Sequence, residues 1–150
     1  MMPRSLFNSD LELAARITTI LAERPHLARC DRQIAAIDLL TTNHGDFNAG
    51  AANLHGHLNV PPSYATRLAH IQRAMKFVVT RGLAVPVANE AGLQYRVTDN
   101  GRAFARALHN TYLNDYRHLL GSAFAYVDSH ILSDVLARVG HESEDEGVSA

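Results

Sequence analysis

The chain has 150 residues, a net charge of −1 and a single cysteine. This length is typical of one domain, and one cysteine excludes an internal disulfide and favours a reducing compartment. No apolar run reaches the roughly 18–20 residues of a membrane helix, and the first ten residues lack the apolar stretch of a signal peptide. We therefore expect a cytoplasmic protein without membrane contact, in which any contact with nucleic acid comes from a local patch.

Two helices are predicted in the first third of the chain, after a flexible arm at 1–8. The first begins at one of three capping residues, Asn8, Ser9 or Asp10, and ends near Glu23. Asp31 is predicted to cap the second helix. Asp38 lies among apolar neighbours in that helix, so we expect it either at the rim of the core or paired with a cation.

A long, turn-rich connection follows at 43–62 and leads into a third helix from Pro62 to Gly82. Loops longer than about 12–15 residues are usually functional or mobile in compact domains. Helical spacing gives the third helix one apolar side, formed by Tyr64, Leu68, Ile71, Met75, Val78 and Val79. The opposite side is predicted to carry the candidate partner-facing or DNA-facing residues Arg67, His70, Arg73, Lys76, Phe77 and Arg81.

Three interpretations of that outer side stay open. The cations could contact bases or phosphates in a DNA groove. Phe77 among them favours a protein interface, because exposed aromatic residues beside arginines are typical of interfaces, although Phe77 could equally pack under the wing. The side could also simply face solvent.

A hairpin is predicted at about 83–97, with Gly92 in its turn and with Pro86 restricting its strand to a sheet edge. Thr98 or Asp99 is predicted to cap the next helix. The segment from Thr111 to about Val139 is predicted to form one long helix, or two helices with a break at Gly121–Ser122. Its apolar stripe supplies the interface candidates Tyr116, Leu120, Phe124, Val127 and Ile131.

That stripe must be covered by its own domain, by a second copy or by another subunit. The predicted fold class is mainly α with a small β-hairpin, a winged-helix-like domain with a long C-terminal helical segment. The domain is predicted at 9–109, the helical segment at 110–140 and a disordered acidic tail at 141–150.

Histidines in the long connection are the only basis for a metal hypothesis. His44 with Asp46, and His55 with His57, could contribute ligands to zinc or iron. No helix fixes their spacing, and no motif for a nucleophile, a phosphate loop or a dinucleotide is present. We therefore predict a non-enzyme with no catalytic residues, metal or cofactor.

The order of the segments resembles the middle component of ABC three-component systems, from about Asn8 to Val127. The segments are NSDLELAARITTILAE, AIDLLTTNHGDF, VPPS, FVVTRGLA and GLQYRVTDNGRAFARAL. Within them, Asp38 precedes the pair Leu39–Leu40, and three short motifs follow: His44-Gly45-Asp46, Arg81-Gly82-Leu83 and Thr98-Asp99.

The resemblance implies a winged-helix adaptor in a prokaryotic anti-phage and anti-plasmid defence complex of the Lamassu type. Its partners would be an SMC-like ATPase and an effector, often a nuclease, and DNA contact within the complex would be compatible with this role. The alternative is a winged-helix transcription regulator that binds DNA as a homodimer and uses its last helix as the dimer interface.

Overall fold

A computed structural model describes residues 9–43 and 63–139. Its elements are α1 (Asp10–Glu23), α2 (Asp31–Thr42), α3 (Tyr64–Thr80), β1 (Ala84–Asn89), β2 (Gly92–Val97), α4 (Asp99–Ala107) and α5 (Thr111–Ser129). Residues 132–139 are also helical. The prediction of a mainly α fold with one small hairpin is confirmed. The predicted arm, residues 44–62 of the connection and the acidic tail lie outside the described residues.

Side-chain caps determine where four of the helices begin. The caps of α1, α3, α4 and α5 each accept a hydrogen bond from the backbone amide three residues later, and they are Ser9, Ser63, Thr98 and Asn110. Such a bond satisfies one of the free amides in the first turn of a helix. Helix α2 begins one residue earlier than predicted, because Cys30 is its cap and Asp31 lies in its first turn.

The end of α3 directs the chain into the hairpin. Gly82 has a φ of 73°, a backbone conformation that favours glycine. Its amide donates to the Val79 carbonyl at 3.0 Å, and the Leu83 amide donates to the Val78 carbonyl at 3.0 Å. These two bonds form a Schellman motif, which satisfies the last carbonyls of the helix.

Helix α4 approaches the end of α3 very closely at Gly101. A Cβ atom at this position would lie 2.0 Å from the Leu83 carbonyl oxygen and 2.7 Å from Cγ2 of Val97. The absence of a side chain at Gly101 therefore permits the contact. It places α4 directly beside the hairpin.

Strands β1 and β2 are antiparallel and are joined by a two-residue turn, with Ala84 opposite Val97 and Asn89 opposite Gly92. On its other side β2 pairs with Arg29, whose amide and carbonyl exchange hydrogen bonds of 2.9 and 2.8 Å with Tyr95. Among the described residues, nothing pairs with the other edge of β1, the strand that contains Pro86. Since proline has no amide hydrogen to donate, this edge position agrees with its prediction.

The core is built around α1 and α2, because each has nine consecutive buried residues, 13–21 and 34–42. A helix that is buried on all sides needs neighbours on all sides. Helix α3 packs on both, and α5 covers α2 from another direction. One hydrophobic cluster consequently includes side chains from both sides of residue 109.

Helix α5 passes through Gly121–Ser122 without a break and ends at Ser129. The predicted break at Gly121–Ser122 was wrong, and so was a single helix to Val139, since residues 130 and 131 are not helical. The apolar stripe continues through Val135 and Val139, which are both fully buried. Because the helical structure is interrupted at residues 130 and 131, the apolar stripe can continue into the core beyond the end of α5.

Candidate functional site

Helix α3 is attached to the core by a buried arginine rather than by apolar side chains alone. Arg67 is only 7% exposed, so its predicted place on the outer side was wrong. Its Nη1 donates to Oδ2 of Asp38 at 2.7 Å and to Oγ1 of Thr42 at 3.0 Å. The side of α3 facing α2 thus includes Arg67, since Asp38 supplies the partner that a buried cation needs.

Asp38 is the centre of a network that joins four helices. Arg16 donates from Nε to Oδ1 at 2.8 Å and from Nη2 to Oδ2 at 3.1 Å. The Tyr116 hydroxyl donates to Oδ1 at 2.6 Å. Arg16, Asp38 and Tyr116 are fully buried. Asp38 is therefore paired with two cations, which was one of the two alternatives predicted for it.

The electrostatics of this network keep the carboxylate ionised and the phenols protonated at neutral pH. Burial raises the pKa of Asp38, but Arg16 and Arg67 outweigh burial and hold that pKa well below its usual range. Burial and then the Asp38 charge raise the pKa of the Tyr116 phenol well above its ordinary value. Burial also raises the pKa of Tyr112, 3.5 Å from Arg16, to about 12.

Sequence analysis missed Arg16 and Tyr112 as members of this network. The available signal was the position of Arg16 within the apolar run LELAARITTIL. A cation placed there needs a buried carboxylate, and Asp38 has the matching requirement. Pairing the two would have identified the link between α1 and α2.

The remaining candidates on α3 differ in their exposure and in the contacts that they already make. Arg73 is exposed and pairs with Asp10 at 2.6 Å. Lys76 is exposed, whereas His70 is half-buried and burial, with Arg73 and Arg67 nearby, lowers its pKa. The Arg81 guanidinium lies 4.5 Å from the ring centre of Phe77, which is half-buried and packs against the core.

A groove of about 600 Å³ runs between α3 and the hairpin. Its lining is largely apolar and includes Met75, Val79, Pro86, Leu93 and Tyr95. Its polar lining residues are Asp31, Gln72, Lys76 and Thr80. Leu93 is 53% exposed although it is a large apolar side chain on a strand. The groove therefore offers apolar surface to a partner on the flank of α3 away from Phe77.

The stripe on the last helix is not available to partners. Tyr116, Leu120, Phe124 and Val127 are at most 3% exposed, so their placement as interface residues was wrong. The physical reason is that α2 is buried on all sides, and α5 supplies the missing cover. Ile131, at 68% exposure, stays a candidate.

A third buried arginine fixes α5 to the segment before α2. Arg29 donates from both terminal nitrogens to the Asp128 carboxylate at 3.0 and 3.1 Å. Its guanidinium lies 4.8 Å from the centre of the Phe124 ring, and that of Arg24 lies 4.7 Å from the same ring. Phe124 consequently contributes to the core as the aromatic partner of two cations.

Across 9–43 and 63–139, no group of three or more His, Cys, Asp or Glu side chains is arranged to hold a metal ion. His44, Asp46, His55 and His57, the residues of the metal hypothesis, lie outside the described residues. In the same ranges, no helix is both long enough and apolar enough to cross a membrane.

The comparison with protein families matches the chain over residues 6–144. The matching family is described as ABC-three component (ABC-3C) system Middle Component 2. No curated protein and no solved structure matches the chain. The match covers most of the sequence and includes every described helix and strand. The chain therefore belongs to the middle component 2 family of ABC three-component systems.

Proposed function

We propose that this protein is a non-catalytic adaptor that links an SMC-like ATPase to an effector, a nuclease, in an anti-phage and anti-plasmid defence complex. Membership in the family makes it one component of a multi-component system. The observation that carries the proposal is the apolar groove between α3 and the hairpin, which residues 9–43 and 63–139 leave open. Three helices followed by a hairpin is also the order of elements in a winged-helix domain, and this order supports an adaptor built on that fold.

Leu93 is the best anchor in the groove. It projects from β2 beside Pro86 and Tyr95, and more than half of its surface is exposed in the isolated chain. Fully burying an exposed leucine side chain contributes about 1.5–3 kcal/mol, and about half of the Leu93 surface remains to be buried. A partner that covers Leu93 would thus gain part of that free energy, and a glutamine there would also leave a polar group in an apolar contact.

Phe77 is a less suitable anchor than the sequence pattern indicates. Its ring already packs against the core and is covered by Arg81. Replacing it with alanine would remove intramolecular contacts as well as any contact to a partner. A loss of binding in that variant would therefore not separate interface from fold.

The alternative of a dimeric DNA-binding regulator loses its main structural support. It required the stripe on the last helix as a dimer interface, and four of its five residues are buried in the domain. It also required a cationic side on α3. Arg67 is buried in its pair with Asp38, which leaves Arg73, Lys76, His70 and Arg81 for that role, and Arg73 would first have to give up its exposed pair with Asp10.

The test is co-expression of the tagged chain with the products of its neighbouring genes, followed by affinity purification. Leu93→Gln should weaken retention of one large subunit about thirtyfold, the equivalent of about 2 kcal/mol. Leu11→Gln is the matched control, because Leu11 is 65% exposed on α1 and does not line the groove. Equal retention by both variants would exclude the groove, and failure of the wild type to retain any subunit would exclude the adaptor.

A further inference from the structure

A second concave surface lies between the end of α1, helix α4 and the start of α5. It encloses about 610 Å³ and shares no lining residue with the apolar groove. Four charged residues line it: Glu23, Arg102, Arg106 and Arg117. We name this surface the cationic cleft. Three guanidinium groups and one carboxylate give it an excess of positive charge.

Arg117 is the structural member of the cleft. Its Nη2 donates to the carbonyl oxygens of Ala105 at 2.7 Å and Leu108 at 2.9 Å. Its Nε lies 4.0 Å from Glu23. These contacts attach α5 to the C-terminal end of α4, where a cation also compensates the helix dipole. Most of the hydrogen-bonding capacity of Arg117 is therefore already used.

Arg102 and Arg106 are different, because both are exposed and neither pairs with a carboxylate in the described part of the chain. They are four residues apart on α4, so they project from the same side of the helix about 5–6 Å from each other at Cβ. Each guanidinium presents a planar fork that matches the two oxygens of a carboxylate. Together they can accept two carboxylates that follow one another along a chain.

We propose that the cationic cleft is the docking site for an acidic segment of a partner protein, a proposal that rests on the adaptor function. Acidic residues two apart in an extended segment, or four apart in a helix, would reach both arginines. An adaptor that joins two subunits needs two separate surfaces. The apolar groove and the cationic cleft provide two surfaces of different chemistry, which would also keep the two partners from exchanging places.

An acidic protein segment fits this cleft better than nucleic acid does. The Glu23 carboxylate lies within the lining, where it would repel a continuous line of phosphates. A protein segment can place its carboxylates at Arg102 and Arg106 and a neutral residue beside Glu23. The net charge of −1 also gives the whole chain no general attraction to a long polyanion.

Binding of a labelled glutamate peptide to the full-length purified chain can be measured by fluorescence anisotropy at an ionic strength of about 0.15 M, where the Debye length is about 8 Å. The glutamate peptide carries two glutamates two residues apart among uncharged residues, so that a neutral residue can lie beside Glu23. The double variant Arg102→Glu/Arg106→Glu should bind at least tenfold more weakly than the wild type. The matched control is Arg32→Glu/Arg96→Glu, which makes the same change in net charge at two exposed arginines outside the cleft. The control should retain binding within about twofold, since long-range effects are weak under screening.

Equal weakening in both double variants would overturn the proposal, because binding would then follow net charge alone. Tighter binding of a labelled DNA duplex than of the glutamate peptide, lost in the cleft variant only, would assign the cleft to nucleic acid instead. Arg102→Gln/Arg106→Gln should weaken binding in the same direction. It serves in place of the reversal if circular dichroism shows that the reversal unfolds the chain.

The co-purified complex separates this proposal from the adaptor function. The cleft variant should release one subunit while the Leu93→Gln variant releases another. A complete complex with the cleft variant would refute the docking site and leave the adaptor function standing. If the wild type retains no subunit, the adaptor function fails, and binding of the glutamate peptide still decides whether the cleft recognises carboxylates.

Discussion

Helix α3 is held by two arginine–aspartate pairs, one in the interior and one at the surface. Arg67 and Asp38 are 2.7 Å apart with side chains 8% and 0% exposed. Arg73 and Asp10 are 2.6 Å apart with side chains 53% and 52% exposed. The two distances are nearly equal, but the exposure of the charged side chains to solvent differs greatly. Burial and the number of additional partners, rather than the distance, should decide what each pair contributes.

The difference follows from what happens when one partner is removed. At the surface, water solvates the remaining charge, so exposed pairs contribute about 0.2–1 kcal/mol. In the interior, the remaining charge stays uncompensated, so removing its partner lowers the free energy of unfolding by about 3–5 kcal/mol. The interior pair is also part of a network with Arg16, Tyr116 and Thr42. We therefore expect the same substitution to have very different effects at Asp38 and at Asp10.

Asp38→Ala should produce the largest effect, a loss of about 3–5 kcal/mol in the free energy of unfolding. It leaves two buried guanidinium groups without their carboxylate. Such a loss is a large part of the roughly 5–15 kcal/mol that stabilises a typical protein. Urea unfolding followed by circular dichroism measures it, with Asp10→Ala as the matched control. A loss below about 1 kcal/mol at Asp38 would contradict the interior role of the network.

Acidification should have the next largest effect, because protonation removes the same charge but keeps the side chain. The folded-state pKa of Asp38 is depressed, so its stabilising contribution is fully present above the unfolded value of about 3.9. That contribution is lost as the pH falls below about 4 toward the folded pKa. Urea midpoints between pH 7 and pH 3 should therefore fall more steeply for the wild type than for Asp38→Asn. Parallel curves would contradict the assignment.

Tyr116→Phe removes a single hydrogen bond from the network without changing the packing volume much. Hydrogen bonds to charged groups contribute about 1.5–3 kcal/mol, and this one is 2.6 Å long and fully buried. Tyr126→Phe is the control, since its hydroxyl has no hydrogen bond among those described and its ring stacks on His130. Equal stability changes in the two variants would show that the Tyr116 hydroxyl contributes little.

Local signals were sufficient to predict most of the elements. The sequence predicts Ser9 as one of three possible caps of the first helix and Thr98 as one of two possible caps of the fourth, and both residues are the caps in the structure. Gly82 was expected to stop the third helix, and Pro86 to restrict its strand to an edge. Each of these predictions depends on the backbone chemistry of a few neighbouring residues. Such chemistry changes little with the tertiary environment.

The errors arise where tertiary packing decides. Helical spacing could not show that Arg67 would face Asp38 and Thr42 on α2, because the pattern of α3 does not record which neighbours pack against it. The stripe on α5 gave interface candidates because its pattern alone does not distinguish cover by its own domain from cover by a second copy or another subunit. The run Ile34–Thr42, buried on all sides, required one more layer. The apolar groove and the cationic cleft depend on the arrangement of several elements and had no local signal.

The surface pair should show the smallest effect and the strongest dependence on salt. A double-mutant cycle of Asp10→Ala and Arg73→Ala should give a coupling energy of about 0.2–1 kcal/mol at low ionic strength. At 1 M salt the screening length falls to about 3 Å, so the coupling should approach zero. The Arg67–Asp38 pair should keep its coupling at 1 M salt, because its charges are shielded from the ions. Salt-independent coupling at Arg73 would contradict this distinction. A weak pair also leaves Arg73 able to exchange Asp10 for an acidic partner at little cost, whereas Arg67 is committed to the fold.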